Sequence, residues 1–302
     1  TPDSDVPCRG ENESIDRILE QANANLELLL ALPAPTALGI TPSHWKRAEE
    51  CEALDALSSL TNQLEVGVLF HHAPTECLSN QECYTEALSE DLNTFSIEPA
   101  WVSGLGAHTE LDINWIQALD EIGAPNRFSF FGMSMHPGIP HNADIRAKDS
   151  WPSDLMGHTA TWAVDNTTDI TNPPAAGWLN LLPGNNIPAF NLGGCANLFL
   201  NECHPLGRGN GGEINDLDVE SLDLLLHRAL NSAQMEGTHT WNFHLPDIGL
   251  YDYTEGCSVE EGVWMGEDCE GARLQRWLFD VHQRFATRGL IEWSTPGTVA
   301  LP

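Results

Sequence analysis

The chain predicts an α/β fold, a parallel sheet or barrel of seven or eight strands with helices packed outside it. Three observations predict it. Short apolar stretches alternate with segments of helical periodicity along much of the 302 residues. The connections between them are short, as in repeated strand–helix units. Histidines fall at or just beyond the C-terminal ends of the apolar stretches: 66–70 runs into His71 and His72, 101–107 into His108, 128–132 is followed by His136, and 238–243 carries His239 and runs into His244. Parallel α/β folds build their active sites at that end of the strands.

Residues 14–32 have helical periodicity, with Ile15, Ile18, Leu19, Ala22, Leu26 and Leu29 on one side. Pro33-Ala34-Pro35 stops that helix, and 36–40 reads as a strand. A helix over 49–60, a strand over 64–70, a helix over 82–95 and a strand over 101–105 follow. The helix over 111–122 is closed by Gly123 and leads to a strand over 128–131. From 133 to 177 Pro, Asn and Asp accumulate, which predicts a loop-rich excursion over one face of a single domain spanning 1–302. Strands over 178–182 and 187–192, a helix over 218–234 and a strand over 238–243 complete the middle of the chain. A cysteine-stapled loop over 257–269, a helix over 272–287 and a last strand over 290–293 end it. The glycine-rich 207–212 has neither the dinucleotide fingerprint nor a Walker lysine, so it takes no phosphate role.

Lys and Arg total 13 against 44 Asp and Glu, a formal net charge of -31, and Lys46 and Lys148 are the only lysines. Such a surface repels nucleic acid and anionic lipid and is expected of a protein working in high salt, where self-repulsion is screened. Six of the eight cysteines fall into local pairs, Cys77/Cys83, Cys195/Cys203 and Cys257/Cys269, leaving Cys8 and Cys51. Four disulfides fit an exported protein, whether secreted, periplasmic or on the cell surface. None of the pairs has the two-residue gap of a zinc knuckle. No stretch reaches 18 consecutive apolar residues, so no transmembrane helix is expected.

Several imidazoles delivered to one rim point to a metal site or to acid–base chemistry. Neighbours on a strand face opposite ways, so one of His71 and His72 is expected at the rim centre, and His72 lies farther past the strand. His108 stands between strand and helix, with Thr109 placed to cap the helix. His244 precedes Leu245-Pro246-Asp247, where Asp247 can bind a metal or orient the histidine. Asp3 and Asp5 are the acids that would emerge from a first strand lying upstream. One carboxylate and two histidines can hold zinc with a position left open, and a second carboxylate can act as base. His44, His158, His204, His227 and His282 read as structural or surface residues, and Trp151 and Trp264 as platforms for a sugar ring. No G-x-S-x-G elbow occurs, so serine-hydrolase chemistry has no support.

The order of segments resembles the polysaccharide deacetylase (NodB-like) superfamily, with this chain as a divergent member. Residues 54–72, a helix followed by Leu64-Glu65-Val66-Gly67-Val68-Leu69-Phe70-His71-His72, are similar to the family's helix and E-I-G-x-H segment. Residues 103–124 resemble its next strand, loop and helix, and 238–244 with 274–295 resemble its closing strands. The T-F-D-D strand and the H-x-x-x-H pair of the family have no counterpart here. The resemblance implies a distorted (β/α) barrel with long rim loops and a divalent metal, zinc in the first instance. It implies Asp3, His71, His72 and His108 as metal ligands, Asp5 as base, and His244, with Asp247, assisting the leaving group. The function expected is a secreted, metal-dependent hydrolase that removes acyl groups from a polysaccharide or glycan. A glycoside hydrolase using two of Glu110, Glu202, Asp247 and Glu292 is the alternative, and a non-catalytic carbohydrate-binding barrel the next.

Overall fold

A computed structural model describes residues 6–10, 14–70, 77, 80–105, 115–124, 127–130, 162–164, 179–182, 184–186, 242–244 and 248–298, with seven helical residues between 219 and 231. Helix α1 (Ile15–Leu30) is capped by Ser14, whose hydroxyl accepts the Arg17 N–H. Strand β1 (Ala37–Ile40) passes into α2 (Pro42–Glu50) through Thr41, an N-cap followed by proline at the first helical position. The helix expected over 49–60 is broken: α2 ends at Glu50, Glu52 adopts a positive φ of 57°, and α3 (Leu54–Thr61) starts afresh. Strand β2 (Glu65–Phe70), α4 (Gln81–Asn93), β3 (Trp101–Leu105), α5 (Trp115–Glu121) and β4 (Arg127–Phe130) continue the alternation. Gly123, at φ 66°, closes α5 as its position in the sequence predicts.

Strands β1, β2, β3 and β4 lie side by side in chain order and are all parallel. Such one-step crossovers are right-handed and stack their helices on one face. One apolar cluster joins that helix layer to the sheet through Leu19, Trp45, Leu57, Val68, Leu88 and Leu119. Gly67 is required beneath Trp101, because a Cβ there would run into the indole of the neighbouring strand. A second cluster gathers Leu28, Tyr253, Trp264, Trp277, Leu278 and Val281. Helix α1 lies between the two, with Leu19, Ala22, Leu26 and Leu29 in one and Leu28 in the other.

The sheet is open, which overturns the deacetylase-like barrel of seven or eight strands. Its order is β1-β2-β3-β4-β6-β5, where β5 is Trp162–Val164 and β6 is Leu179–Leu182. Strand β6 is parallel to β4, but β5 joins it antiparallel and forms the edge. A (β/α) barrel needs parallel strands to continue until the last meets the first. A reversed edge strand ends that progression. Strand β5 comes from the 133–177 stretch read as loops. Two short pairs stand apart from the sheet: parallel β7 (Gly184–Asn186) with β8 (Asn242–His244), and antiparallel β9 (Ser258–Glu260) with β10 (Val263–Met265). Residues 290–293, expected as a strand, are not one and pair with no strand among the described residues; they leave α6 (Glu270–Arg284) through a 3-10 turn and Gly289 at φ 68°.

Disulfides join Cys8 to Cys51, Cys77 to Cys83 and Cys257 to Cys269, with Cα separations of 5.2, 5.3 and 4.9 Å. The pair Cys195/Cys203 lies outside the described residues. No helix among the described residues is long and apolar enough to cross a membrane.

Candidate functional site

The parallel register sets the geometry of the site. Ile40 pairs with Val68, Phe70 with Gly104 and Leu105 with Phe130, so β1 to β4 finish along one edge. In the sequence these strands are followed by Thr41, His71, Gly106 and Phe131.

His71, His72, His108, Asp3, Asp5 and Asp247 all lie outside the described residues. His244 is the last residue of β8, in register with Asn186 of β7. Strand β7 begins two residues after Leu182 ends β6, so this pair continues from the carboxyl end of the sheet rather than belonging to it. Of the seven residues expected to bind the metal or act in the hydrolase, only His244 is therefore described, and none of the predicted ligand pairs is. Val6, next to Asp5 in the chain, is held by Arg47 Nε, which donates to its carbonyl at 2.7 Å. Cys8 is bonded to Cys51 at the C-cap of α2.

His44, which the sequence reading left without a role, lies in the first turn of α2 just past the carboxyl end of β1. Its Nδ1 is 2.6 Å from Thr41 Oγ1, and Thr41 Oγ1 is 3.0 Å from Ser43 Oγ. The His44 backbone N–H also donates to Thr41 Oγ1, at 3.3 Å. All three residues are half-buried. A signal for this placement exists in the sequence: Thr41-Pro42 directly after a predicted strand marks a helix start, which puts residue 44 at the strand's end.

A second polar cluster joins the helical residues of 219–231 to α6. Arg284 Nη2 donates to Asp223 Oδ1 at 2.5 Å, its Nε lies 2.6 Å from Asp280 Oδ2, and Trp277 Nε1 donates to Asp223 Oδ1 at 3.3 Å. The Asp223 hydrogen bond raises the pKa of the Arg284 guanidinium above its ordinary value, against the opposing effect of burial. An open groove of about 420 Å³ runs along Val219, Glu220, Asp223, Trp277, Asp280 and Arg284. The guanidinium is committed to its two carboxylates, so the cluster acts as a clasp between helices. His227 joins it 3.5 Å from Asp223, and His282 Nδ1 accepts from Trp293 Nε1 at 3.1 Å.

Trp264 is buried, with 7% of its surface exposed, and packs in the second core, so it offers no face to a sugar. Trp151 lies outside the described residues. Among the described residues no group of three or more His, Cys, Asp and Glu side chains is placed to hold a metal ion. Six cysteines are closed in disulfides and cannot supply thiolate ligands. Glu292 is exposed on the segment leading to Thr295, which is anchored at the amino end of β2, the opposite edge from His44. In comparisons with known proteins, no family model, curated protein or solved structure matches the chain.

Proposed function

We propose that this chain is a metal-dependent hydrolase working at the carboxyl edge of its parallel sheet and removing acyl groups from a carbohydrate. The observation that carries this reading is the common edge on which β1 to β4 end. Three of those ends are followed within four residues by histidine: His44 after Ile40, His71 and His72 after Phe70, and His108 after Leu105. Imidazole and carboxylate donors suit zinc, and closure of the described cysteines in disulfides leaves those donor types. His71, His72, His108 and Asp3 would hold the ion. A divalent cation supplies Lewis-acid stabilisation of the charge that builds on an acyl oxygen. His244 would give a proton to the departing sugar atom, with Asp247 orienting it. The carbohydrate rests on the resemblance to the deacetylases and the exported character on the disulfides. The charge of -31 disfavours nucleic acid as substrate.

The test is elemental analysis of protein purified without chelator, with acetate release from acetylated glycans measured in parallel. About one divalent ion per chain is expected, lost in His72→Ala and His108→Ala and retained in His244→Ala. A protein that takes up no metal on reconstitution yet still releases acetate would overturn the metal. One that releases none in either state would overturn the hydrolase.

A further inference from the structure

We infer that the outer edge of the β9–β10 hairpin is a docking surface for an extended segment of a partner protein, one that alternates apolar with lysine or arginine side chains and adds to β9 as a further strand. The hairpin is not part of the six-stranded sheet, and the inference stands independently of the hydrolase reading.

The hairpin is held rigidly. Glu261 and Gly262 form its two-residue turn at φ 52° and 82°, the left-handed pair that such a turn requires. The Cys257–Cys269 disulfide closes its base. Trp264 of β10 is buried in the second core. Buried Gln275 of α6 ties that strand to the helix: its Oε1 accepts the Trp264 N–H at 2.8 Å, and its Nε2 donates to the Gly262 carbonyl at 3.1 Å. A surface fixed in this way loses little conformational freedom when it binds.

Its two outer edges differ. Glu260 is in register with Val263, Val259 with Trp264 and Ser258 with Met265. Across a two-residue turn Glu260 and Val263 exchange their hydrogen bonds, so Val259 and Trp264 turn their peptide groups outward. On the β10 side the Trp264 N–H is taken by Gln275. On the β9 side nothing among the described residues pairs with the Val259 N–H or carbonyl, and the strand is exposed throughout. The same hairpin shows apolar side chains to solvent: Val259 is 48%, Val263 50% and Met265 36% exposed. An open strand edge beside exposed apolar side chains is a template for another strand.

Charge selects the occupant. Glu255, Glu260, Glu261, Glu267 and Asp268 flank the strands, all exposed, and none of their carboxylates has a hydrogen-bond or ion-pair partner among the described residues. The nearby cation Arg273 donates to the Glu267 backbone carbonyl instead. A second copy would bring the same carboxylates against themselves, and nucleic acid or anionic lipid would be repelled. Strand alternation then dictates the pattern of the segment. The residue beside Val259 lies on its face and is apolar. Those beside Ser258 and Glu260 lie on the other face, where a basic head meets Glu260 and its aliphatic stem lies towards Val263 and Met265.

The test uses a capped hexapeptide alternating lysine and valine, titrated into the ¹⁵N-labelled chain in about 0.1 M sodium chloride. Amide shifts are expected to concentrate in 255–268, with the Val259 N–H newly protected from exchange. A peptide alternating glutamate and valine should not bind, and one alternating lysine and serine should bind about tenfold more weakly or worse. Val259→Pro removes the outward N–H and leaves the β9–β10 ladder, so it is expected to weaken binding by about tenfold or more with the Trp264 amide unmoved. Glu260→Gln with Glu261→Gln should weaken binding and flatten its salt dependence. Shifts spread over the whole acidic surface, equal binding by the lysine–serine peptide, or an unaffected Val259→Pro variant would each overturn the inference, as would no binding at all. Sedimentation that shows a dimer in the wild type and a monomer in Val259→Pro would make the occupant a second copy and overturn the basic partner.

Discussion

Glu65 and Thr295, 230 residues apart in sequence, meet where the C-terminal segment crosses the start of β2: the threonine hydroxyl donates to Glu65 Oε2 at 2.5 Å. The other carboxylate oxygen accepts the Gly297 N–H at 2.8 Å. A Cβ on Gly297 would come 2.6 Å from Glu65 Oε2 and 3.0 Å from the Ala100 Cβ, so a side chain here would have to push the Glu65 carboxylate aside. These contacts hold the end of the chain to the amino edge of the sheet, opposite the candidate site. Glu65→Ala is expected to cost about 1–3 kcal/mol, seen as a lower midpoint in urea. Amide exchange should accelerate at Gly297 before it does in β2. Unchanged exchange at Gly297 would mean the carboxylate does not hold the tail.

Asn25 is fully buried in α1 and hydrogen-bonds a loop over 248–253. Its Nδ2 donates to the carbonyls of Ile248 at 2.7 Å and Tyr251 at 2.8 Å, and its Oδ1 accepts the Tyr253 N–H at 3.1 Å. Asn25→Leu keeps helix propensity and bulk but removes these three hydrogen bonds, one to a buried and two to part-buried backbone groups. A loss of about 2–4 kcal/mol is expected, and a thermal unfolding midpoint within experimental error of the wild type would refute the account.

The three described disulfides enclose sequence separations of 43, 6 and 12 residues. Chain entropy ranks their contributions at about 4, 2 and 3 kcal/mol in that order. Of the three double Cys→Ala variants, the one lacking Cys8–Cys51 is expected to be the least stable in denaturant. If Cys77–Cys83 proves the most costly to remove, loop closure is not the controlling effect.

The Asp91 carboxyl in α4 is pushed above its ordinary value, chiefly by burial and then by neighbouring Glu90, with Lys46 pulling the other way. Its folded pKa therefore exceeds the unfolded one, so the native state binds the extra proton in the window above the ordinary carboxylate value. Stability falls as pH rises through that window. Asp91→Asn is expected to be more stable than the wild type at neutral pH, by under about 1 kcal/mol after solvent screening. The difference should vanish in acid, below the ordinary carboxylate range. Denaturation curves across that range for both proteins make the comparison.

A net charge of -31 on 302 residues makes the folded state self-repulsive at low ionic strength. The screening length shrinks from about 10 Å at 0.1 M to about 3 Å at 1 M salt. The melting temperature is expected to rise over that interval in sodium chloride. A flat response would show that the acidic residues are spaced or paired well enough not to strain the fold.

What the chain determined by itself is local. The strand over 101–105, the Gly123 stop and the pairs Cys77/Cys83 and Cys257/Cys269 are written in neighbouring residues, because strand period, left-handed caps and short loop closure involve only a few positions. The parallel run of β1 to β4 was legible for the same reason: alternating apolar strands and amphipathic helices leave few other packings. Whether that run closes was not legible. It turns on β5, a three-residue strand in a stretch rich in loop-forming residues, whose direction is set by pairing with β6 rather than by its own composition. The clasp of Asp223 and Arg284, the seat of Thr295 on Glu65 and the two-sided burial of α1 are likewise products of long-range contact. For the candidate site, the sequence supplied the histidines and their position after the strands. Tertiary structure supplied the in-register carboxyl edge, and with it the place of His44 beside Thr41 and Ser43, because register is a property of strand pairs and no single strand contains it.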